Sequence, residues 1–418
     1  MREPLLGCPF EGTVRVPMVT LEDVQAARSR IADQIYLSPC ARSDSLSRLA
    51  RCEAFLKLEN LQMTGAYKER GALNKLLGLT PAERAAGLVA ASAGNHAQAV
   101  AYHAGRLGIA ATIVMPEGTP LIKVANTRSH GARVVLSGSN YDEAYTEARR
   151  MEQADGLTFV HPFDDPVIIA GQGTVALELL EQVPNLEAVL VPVGGGGLIS
   201  GMAVALKTSS PSVKVIGVEA EVLPSMLASL EEGRLVTVEQ ATSLADGIAV
   251  KRPGELTFLH AQKYVDEVVT VSEEEIASAI LYLLEREKTV VEGAGAVTTA
   301  ALLNHKVRGL EGHRVVALVS GGNIDVNVIA RVIERGLVRD GRLVRIVVAL
   351  LDKPGQLAKV SAVVAAHRAN VIEVHHSRAF SHRFGDTKLQ LTLETRGPDH
   401  VEDILRALRE RGYQVERV

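Results

Sequence analysis

Four short segments combine residue types at spacings that could do chemistry. In Val193-Gly194-Gly195-Gly196-Gly197-Leu198, a glycine run stands between an apolar stretch and an amphipathic one. Four glycines let a backbone approach an anion closely, and the helix that follows offers free N–H groups and the positive end of its dipole. That suits a phosphate; the plain alternative is a flexible turn from strand to helix. The register is not G-x-G-x-x-G, because Ile199 and Ser200 stand where the last glycine belongs, and there is no G-K-[ST]. Neither a dinucleotide fingerprint nor a P-loop is present. Ala91-Ser92-Ala93-Gly94-Asn95-His96 occupies a second strand-to-helix junction. Its amides suit a carboxylate, with Asn95 and His96 as side-chain donors; an N-cap beside a satisfied histidine explains it equally. In Thr64-Gly65-Ala66-Tyr67-Lys68-Glu69-Arg70-Gly71-Ala72 a lysine falls at the start of an expected helix. The helix dipole disfavours its charge there, which would depress its pKa and fit it for Schiff-base chemistry, although most single lysines are merely solvated. Leu318-Val319-Ser320-Gly321-Gly322-Asn323 presents one hydroxyl just past a buried strand, and by itself reads as a helix cap.

These segments need a scaffold, and the sequence supplies one. From about Val19 to Leu337, short Val/Ile-rich runs alternate with helical segments. Leu88–Ala91, Ala111–Met115, Val134–Leu136, Ala188–Val191, Val213–Val218 and Val315–Val319 are apolar without alternation, as strands buried on both faces should be. Helices are expected between them over Ala97–Leu107, Pro120–His130 and Tyr141–Ala154. The pattern implies an α/β architecture of parallel sheets with helices on both faces, whose ligands sit where strands hand over to helices. Residues 338–342 read as a linker. Beyond it, Leu343–Leu351, a helix around Leu357–His367, Asn370–Phe380, Thr387–Thr395, Val401–Glu410 and Tyr413–Val418 follow the βαββαβ order of a ferredoxin-like sandwich. The expected division is thus 1–337, 338–342 and 343–418.

Composition narrows the function. The chain has 418 residues, with 45 Lys and Arg against 49 Asp and Glu, a net charge of −4, 4% aromatics and no Trp. A near-neutral surface poor in aromatics argues against nucleic acid or an anionic membrane as partner. Cys8, Cys40 and Cys52 form no CxxC pair, so no metal site or disulfide framework is expected, and a reducing, cytoplasmic setting is. Residues 1–18 lack the apolar core of a signal peptide.

A lysine, a phosphate cradle, a carboxylate loop and a lone hydroxyl are together the parts that pyridoxal phosphate chemistry requires. In order along the chain, Glu59–Ala72, Ser92–His96, Ala170-Gly171-Gln172-Gly173-Thr174, the glycine run and Ser320–Asn323 resemble the threonine dehydratases (threonine ammonia-lyases). These are fold-type II pyridoxal 5′-phosphate enzymes, similar to the tryptophan synthase β chain. The resemblance covers about Val16 to Leu337. It implies that Lys68, preceded by Tyr67, holds the cofactor covalently and takes the Cα proton once substrate displaces it. It implies further that Gly194, Gly195, Gly196, Gly197 and the Leu198 amide bind the phosphate, that Asn95 reaches the ring 3′-oxygen, and that Ser320 faces the pyridine nitrogen. Ser92, Gly94, Asn95 and His96, with Gln172, would hold the substrate carboxylate. The implied reaction is loss of water from L-threonine, and from L-serine, to give 2-oxobutanoate or pyruvate and ammonia. Tyr67 and Ala66 stand where the family usually has Phe and Ser. Ala93 replaces the serine that serves serine racemases of this fold as a second acid–base, so racemisation should be minor. Those racemases also hold a divalent ion through acids; Glu219 is present but Ser225 stands in the second place, so no tight divalent site is expected, and a weak or monovalent cation site is the alternative.

The tail, with Asp352-Lys353-Pro354-Gly355-Gln356-Leu357, resembles an ACT domain. Asp352, Gly355, Gln356 and Leu357, with Asn370 and Val371, match the place where such domains bind an amino acid between two copies. An amino-acid effector and a homodimer or homotetramer follow as expectations; the alternative is that the domain only joins subunits. Other readings of the whole chain are a serine racemase, a 3-hydroxyaspartate dehydratase, a transferase with a second substrate, or a catalytically silent amino-acid-responsive binding protein.

Overall fold

A computed structural model describes residues 18–377 and 386–418. Most of the N-terminal stretch read for a leader lies outside them, as do Cys8 and the last three residues of the strand expected over Asn370–Phe380. Cys40 and Cys52 are free thiols. The chain divides into one compact unit up to Ile324 and a second from Asp325 to Val418.

The larger unit holds two sheets. A six-stranded sheet runs in the order Cys40–Arg42, Glu53–Leu58, Arg314–Val319, Ala188–Pro192, Lys214–Ala220, Glu267–Val271. All neighbours are parallel except the first pair. A four-stranded parallel sheet runs Arg133–Leu136, Ala111–Met115, Leu88–Ala91, Thr158–Phe159. Leu88–Ala91, Ala111–Met115 and Ala188–Pro192 are buried along their whole length, which is why their sequences do not alternate.

Three helices are pressed together through glycine. An added Cβ on Gly171, in the helix Pro166–Gln182, would lie 2.7 Å from Gly71 Cα in the helix Lys68–Leu77. One on Gly173 would lie 2.7 Å from the Gly201 carbonyl in the helix Gly197–Ser209. The motif Gly171-Gln172-Gly173 therefore lets backbones meet, and it fixes the lysine helix against the glycine-run helix. The smaller sheet is tied to a long loop over 234–253 by two exposed ion pairs. Lys123 on the helix Leu121–Ser129 meets Asp246 at 3.0 Å, and Lys251 meets Asp142.

The second unit begins with the helix Val326–Arg339. Residues 338–342, expected to form a linker, are instead the last turn of this helix and a tight turn at Gly341 (φ +64°). Then come Leu343–Leu351, the helix Gln356–Ala366, Asn370–Ser377, Asp386–Glu394, the helix Pro398–Glu410 and Gln414–Arg417. The antiparallel sheet has the order second, third, first, fourth strand, that of a ferredoxin-like sandwich. Leu389, Leu391 and Leu393 alternate into its core with Val344, Ile346 and Val348.

Candidate active site

Lys68 opens its helix, and the segment before it is stitched to the Ser320 loop. Tyr67 N–H donates to Ser320 O at 3.1 Å, and Ala66 forms a bridge with Gly321. Lys68 Nζ points inward and donates to Pro162 O at 2.8 Å. Its pKa falls to about 8; burial does this, with Glu292 opposing it, so the sequence argument from the helix end finds a different cause. Burial likewise raises the Tyr67 phenol above its ordinary value.

A fully buried charge cluster holds this helix from behind. Arg70 donates from Nε and Nη2 to Glu59, both at 2.8 Å, and from Nη1 and Nη2 to Glu178 at 2.6 and 2.9 Å. Lys57 Nζ reaches Glu178 at 2.5 Å and Ser38 O at 2.8 Å. Two cations thus face two carboxylates. Arg70 and Lys57 hold the Glu59 carboxyl below the usual carboxylate range against its burial.

The glycine run lies at the carboxyl end of Ala188–Pro192 and opens the helix Gly197–Ser209. Gly196 has φ +92°, a conformation that favours glycine. Around it the space is filled by protein: a Cβ on Gly195 would sit 2.3 Å from the Phe163 ring, and one on Gly194 2.9 Å from Ile248 Cα. The Gly195 carbonyl is pinned by Thr257 Oγ1 at 2.6 Å and by Gly254 N–H at 3.3 Å. In contrast, the buried N–H groups of Gly194, Gly195 and Gly196 find no acceptor among the described residues. Unpaired buried donors at the start of a 13-residue helix are what a phosphate would satisfy. Pro162 and Phe163 are consecutive, so the residue that receives the lysine amine adjoins the one that covers the glycines. A buried amine of low pKa beside a run of unpaired backbone amides fits pyridoxal phosphate.

The Ser92–His96 loop lies at the end of Leu88–Ala91, where Gly94 caps the helix Asn95–Leu107 and its N–H donates to Ser92 Oγ at 3.2 Å. Asn95 is held at both ends of its amide: Nδ2 donates to Glu292 Oε1 at 2.6 Å, and Oδ1 accepts from Asn323 Nδ2 at 2.8 Å. His96 is different from its expected part. Its Nε2 faces Val160 O at 2.9 Å, and a carbonyl only accepts, so the ring's one proton is committed there. Burial, reinforced by Lys68, pushes His96 down to about 3, keeping it neutral. Its ring therefore has no proton left for a carboxylate, while its backbone amide lies in the first turn of the helix. Gln172 Oε1 accepts from Gly71 N–H at 3.3 Å on the lysine helix. Ser320 is 2% exposed and donates to Ala294 O at 3.3 Å.

Tyr67, Lys68, Asn95, the glycine run and Ser320 are thus drawn together, with Ser92 and Gly94 at the adjoining helix start. Sequence reasoning missed Glu292, which is 5% exposed, just before the helix Gly293–Leu303. An acid flanked by small residues, Val291-Glu292-Gly293-Ala294-Gly295, was its only signal. Glu219 accepts Met226 and Leu227 N–H at 2.9 and 2.8 Å, capping a helix. Among the described residues no group of three His, Cys, Asp or Glu is placed to hold a metal ion.

In the second unit the residues matched to an effector site fall into two groups. Asp352, Gly355, Gln356 and Leu357 follow the end of the first strand, and Asn370 and Val371 begin the second. Asn370 is level with Glu394, which pairs with Leu343, whereas Leu351 pairs with Asp386. At about 3.3 Å per residue the two groups are roughly 25 Å apart in one chain.

Residues 31–321 match the family of pyridoxal-phosphate dependent enzymes, and residues 344–412 match the ACT domain. An L-threonine ammonia-lyase of Thermotoga maritima is 52% identical over 95% of this chain and 99% of its own. Among solved structures, the processed threonine deaminase isoform 2 of Solanum lycopersicum is 38% identical with a TM-score of 0.71, covering 75% of this chain and 91% of that one. A maize serine racemase is 33% identical with a TM-score of 0.73, covering 77% and 99%.

Proposed function

Because the chain belongs to the pyridoxal-phosphate dependent enzymes and carries an ACT domain, we propose that it is an L-threonine ammonia-lyase with L-serine as a second substrate. The observation that carries the reading is the buried Lys68 amine, held at 2.8 Å by Pro162 O next to the residue that packs on the glycine run. Lys68 binds the cofactor, and the unpaired amides of Gly194–Gly196, with those of Gly197 and Leu198, take its phosphate. Bound there, the cofactor withdraws electrons from the substrate Cα and so makes its proton removable. Asn95 orients the ring through its 3′-oxygen. Amides at the start of the helix Asn95–Leu107, with Ser92, hold the substrate carboxylate. Lys68, freed by the incoming amino group, takes the Cα proton as a general base. Ser320, whose hydroxyl donates to Ala294 O, would set no negative charge beside the ring nitrogen, and the β-hydroxyl would leave promptly as water once protonated. Water then converts the released unsaturated amine to 2-oxobutanoate and ammonia. Ala93 has no proton to deliver to the opposite face of Cα, which separates this chain from a racemase.

The ACT unit binds an amino acid between two copies of the chain. The strand Asn370–Ser377 lies at a sheet edge with Ile372 and Val374 about half exposed. Antiparallel pairing of two such edges would carry Asn370 of one copy to the 352–357 loop of the other, closing the 25 Å gap.

The test is an absorption spectrum of the purified protein, followed by L-threonine with detection of 2-oxobutanoate and D-amino acid. A visible cofactor band that is lost in Lys68→Ala, with 2-oxobutanoate formed, supports the reading. A band with D-amino acid and no 2-oxo acid overturns the reaction, and no band overturns the cofactor.

A further inference from the structure

We propose that Glu292 is a positioning residue for the cofactor, its ionised carboxylate fixing the direction of the Asn95 amide so that Nδ2 keeps a hydrogen for the ring oxygen. The proposal deepens the function above and rests on Asn95 lying beside the cofactor ring.

The geometry leaves the amide little choice. Asn95 Nδ2 donates to Glu292 Oε1 at 2.6 Å, while its Oδ1 accepts from Asn323 Nδ2 at 2.8 Å. Asn323 Nδ2 also donates to Thr64 O at 2.7 Å, so its own orientation is set by a carbonyl. Both partners of Asn95 are therefore fixed in kind. The second Nδ2 hydrogen is the one polar hydrogen of the side chain left for a ligand. Turning the amide over would set Oδ1 against the carboxylate and Nδ2 against the Asn323 donor, two repulsive contacts. A protonated Glu292 removes one of them, because its O–H can donate to Oδ1. The charge on Glu292 therefore decides whether one orientation or two are allowed.

The carboxylate is not explained by packing. Glu292 N–H already ties its segment to Gly321 O at 3.1 Å, whatever the side chain does. Among the described residues no cation lies within ion-pair distance of it, and a buried carboxylate without one is costly. A Cβ on Gly321 would lie 2.3 Å from Oε1, so that glycine leaves the acid its space. The charged and titratable groups that face it come from three elements. Asp246 belongs to the loop over 234–253, Lys123 to the helix Leu121–Ser129, and Lys68 and Tyr67 to the lysine segment. Burial first, and then Asp246, push Glu292 up to about 7, against Asn95, Lys123 and the Asn323 N–H.

The experiment titrates cofactor-free protein with pyridoxal phosphate across pH 5.5–9, following the visible band, for the wild type, Glu292→Gln and Glu292→Asp, with a thermal melt of each. In the wild type the affinity should rise with pH in a step near neutrality. In Glu292→Gln the step should vanish and binding weaken about tenfold, the worth of one misdirected hydrogen bond. Glu292→Asp should keep the step at reduced affinity. Wild-type affinity and an unchanged step in Glu292→Gln would overturn the proposal. A lowered melting temperature with the step intact, which is what a merely structural role gives, would overturn it too. If Glu292→Gln does not fold, loss of the step in Glu292→Asp decides against it. A wild type that forms no band fails the underlying reading instead, so the two failures are distinct.

Discussion

Replacing Arg70 by methionine tests whether the buried charge cluster holds the lysine helix. The change keeps an unbranched, mostly apolar stem but removes the guanidinium and with it four contacts of 2.6–2.9 Å to Glu59 and Glu178. Glu59, wholly buried, would keep Ser38 Oγ at 2.5 Å and Gln62 Nε2 at 3.3 Å, but its remaining cation, Lys57, lies 4.0 Å away. Two carboxylates would then share one ammonium, and breaking such a pair from one side costs about 3–5 kcal/mol. Denaturant unfolding of wild type and variant at pH 8 measures this directly. Adding Glu178→Gln restores neutrality, and about 1 kcal/mol or more should return. The pH dependence has a definite sign. In the wild type Glu59 has a depressed pKa, so its stabilisation is present above the unfolded value and lost as pH falls through the folded one. In the variant its carboxyl rises, and the penalty disappears once acid protonates it. The gap between the proteins should therefore be widest at pH 7–8 and narrow towards pH 5. A loss below about 1 kcal/mol, or no recovery with Glu178→Gln, would refute the reasoning.

Three further outcomes follow. The rate at which cofactor-free protein gains its visible band should rise with pH through about 8 and then level, because the neutral amine is the nucleophile and Lys68 sits near 8; a rise continuing to pH 10 would mean an ordinary lysine. Gly195→Ala should weaken pyridoxal phosphate by about 10- to 100-fold, since its Cβ would lie 2.3 Å from the Phe163 ring, and Phe163→Leu in the same chain should recover part of the loss in an equilibrium titration. A chain ending at Gly341 should still deaminate L-threonine but show no change in rate with any added amino acid; a retained response in the rate assay would place the effector elsewhere.

Much of the scaffold was legible because its causes are local. Leu88–Ala91 and Ala188–Pro192 are apolar without alternation because both faces are covered, and the glycines of 194–197 mark a junction that only glycine could make. Leu389, Leu391 and Leu393 gave the antiparallel strand by period alone. What escaped depends on distant neighbours. Glu292 gains meaning only from Asn95 and Asp246, far along the chain. His96 looked like a donor to a ligand until its ring nitrogen was found facing the Val160 carbonyl. Residues 338–342 misled because Gly336 and Gly341 look like a break. One glycine inside a helix costs only about 1 kcal/mol, and the helix Val326–Arg339 runs through it. The two halves of the effector site matched a motif, but only strand register reveals that one chain holds them at opposite ends.

The glycine contacts among the three helices have a mechanical consequence. Where Gly71 meets Gly171, and Gly173 meets Gly201, the backbones come so close that an added Cβ would strike the neighbouring main chain at 2.7 Å. The helix that Lys68 opens and the helix that follows the glycine run are therefore both packed against the helix Pro166–Gln182 with no room for an added side chain. The smaller sheet, which carries Ser92, Gly94 and Asn95, is fastened to the loop over 234–253 by exposed ion pairs that salt weakens. Salt would loosen those pairs but not the buried packing of Ala72 and Leu76 against Leu88, Ala90 and Ile113, so the Ser92–His96 loop is held to the lysine helix by a shared core and not by surface charge.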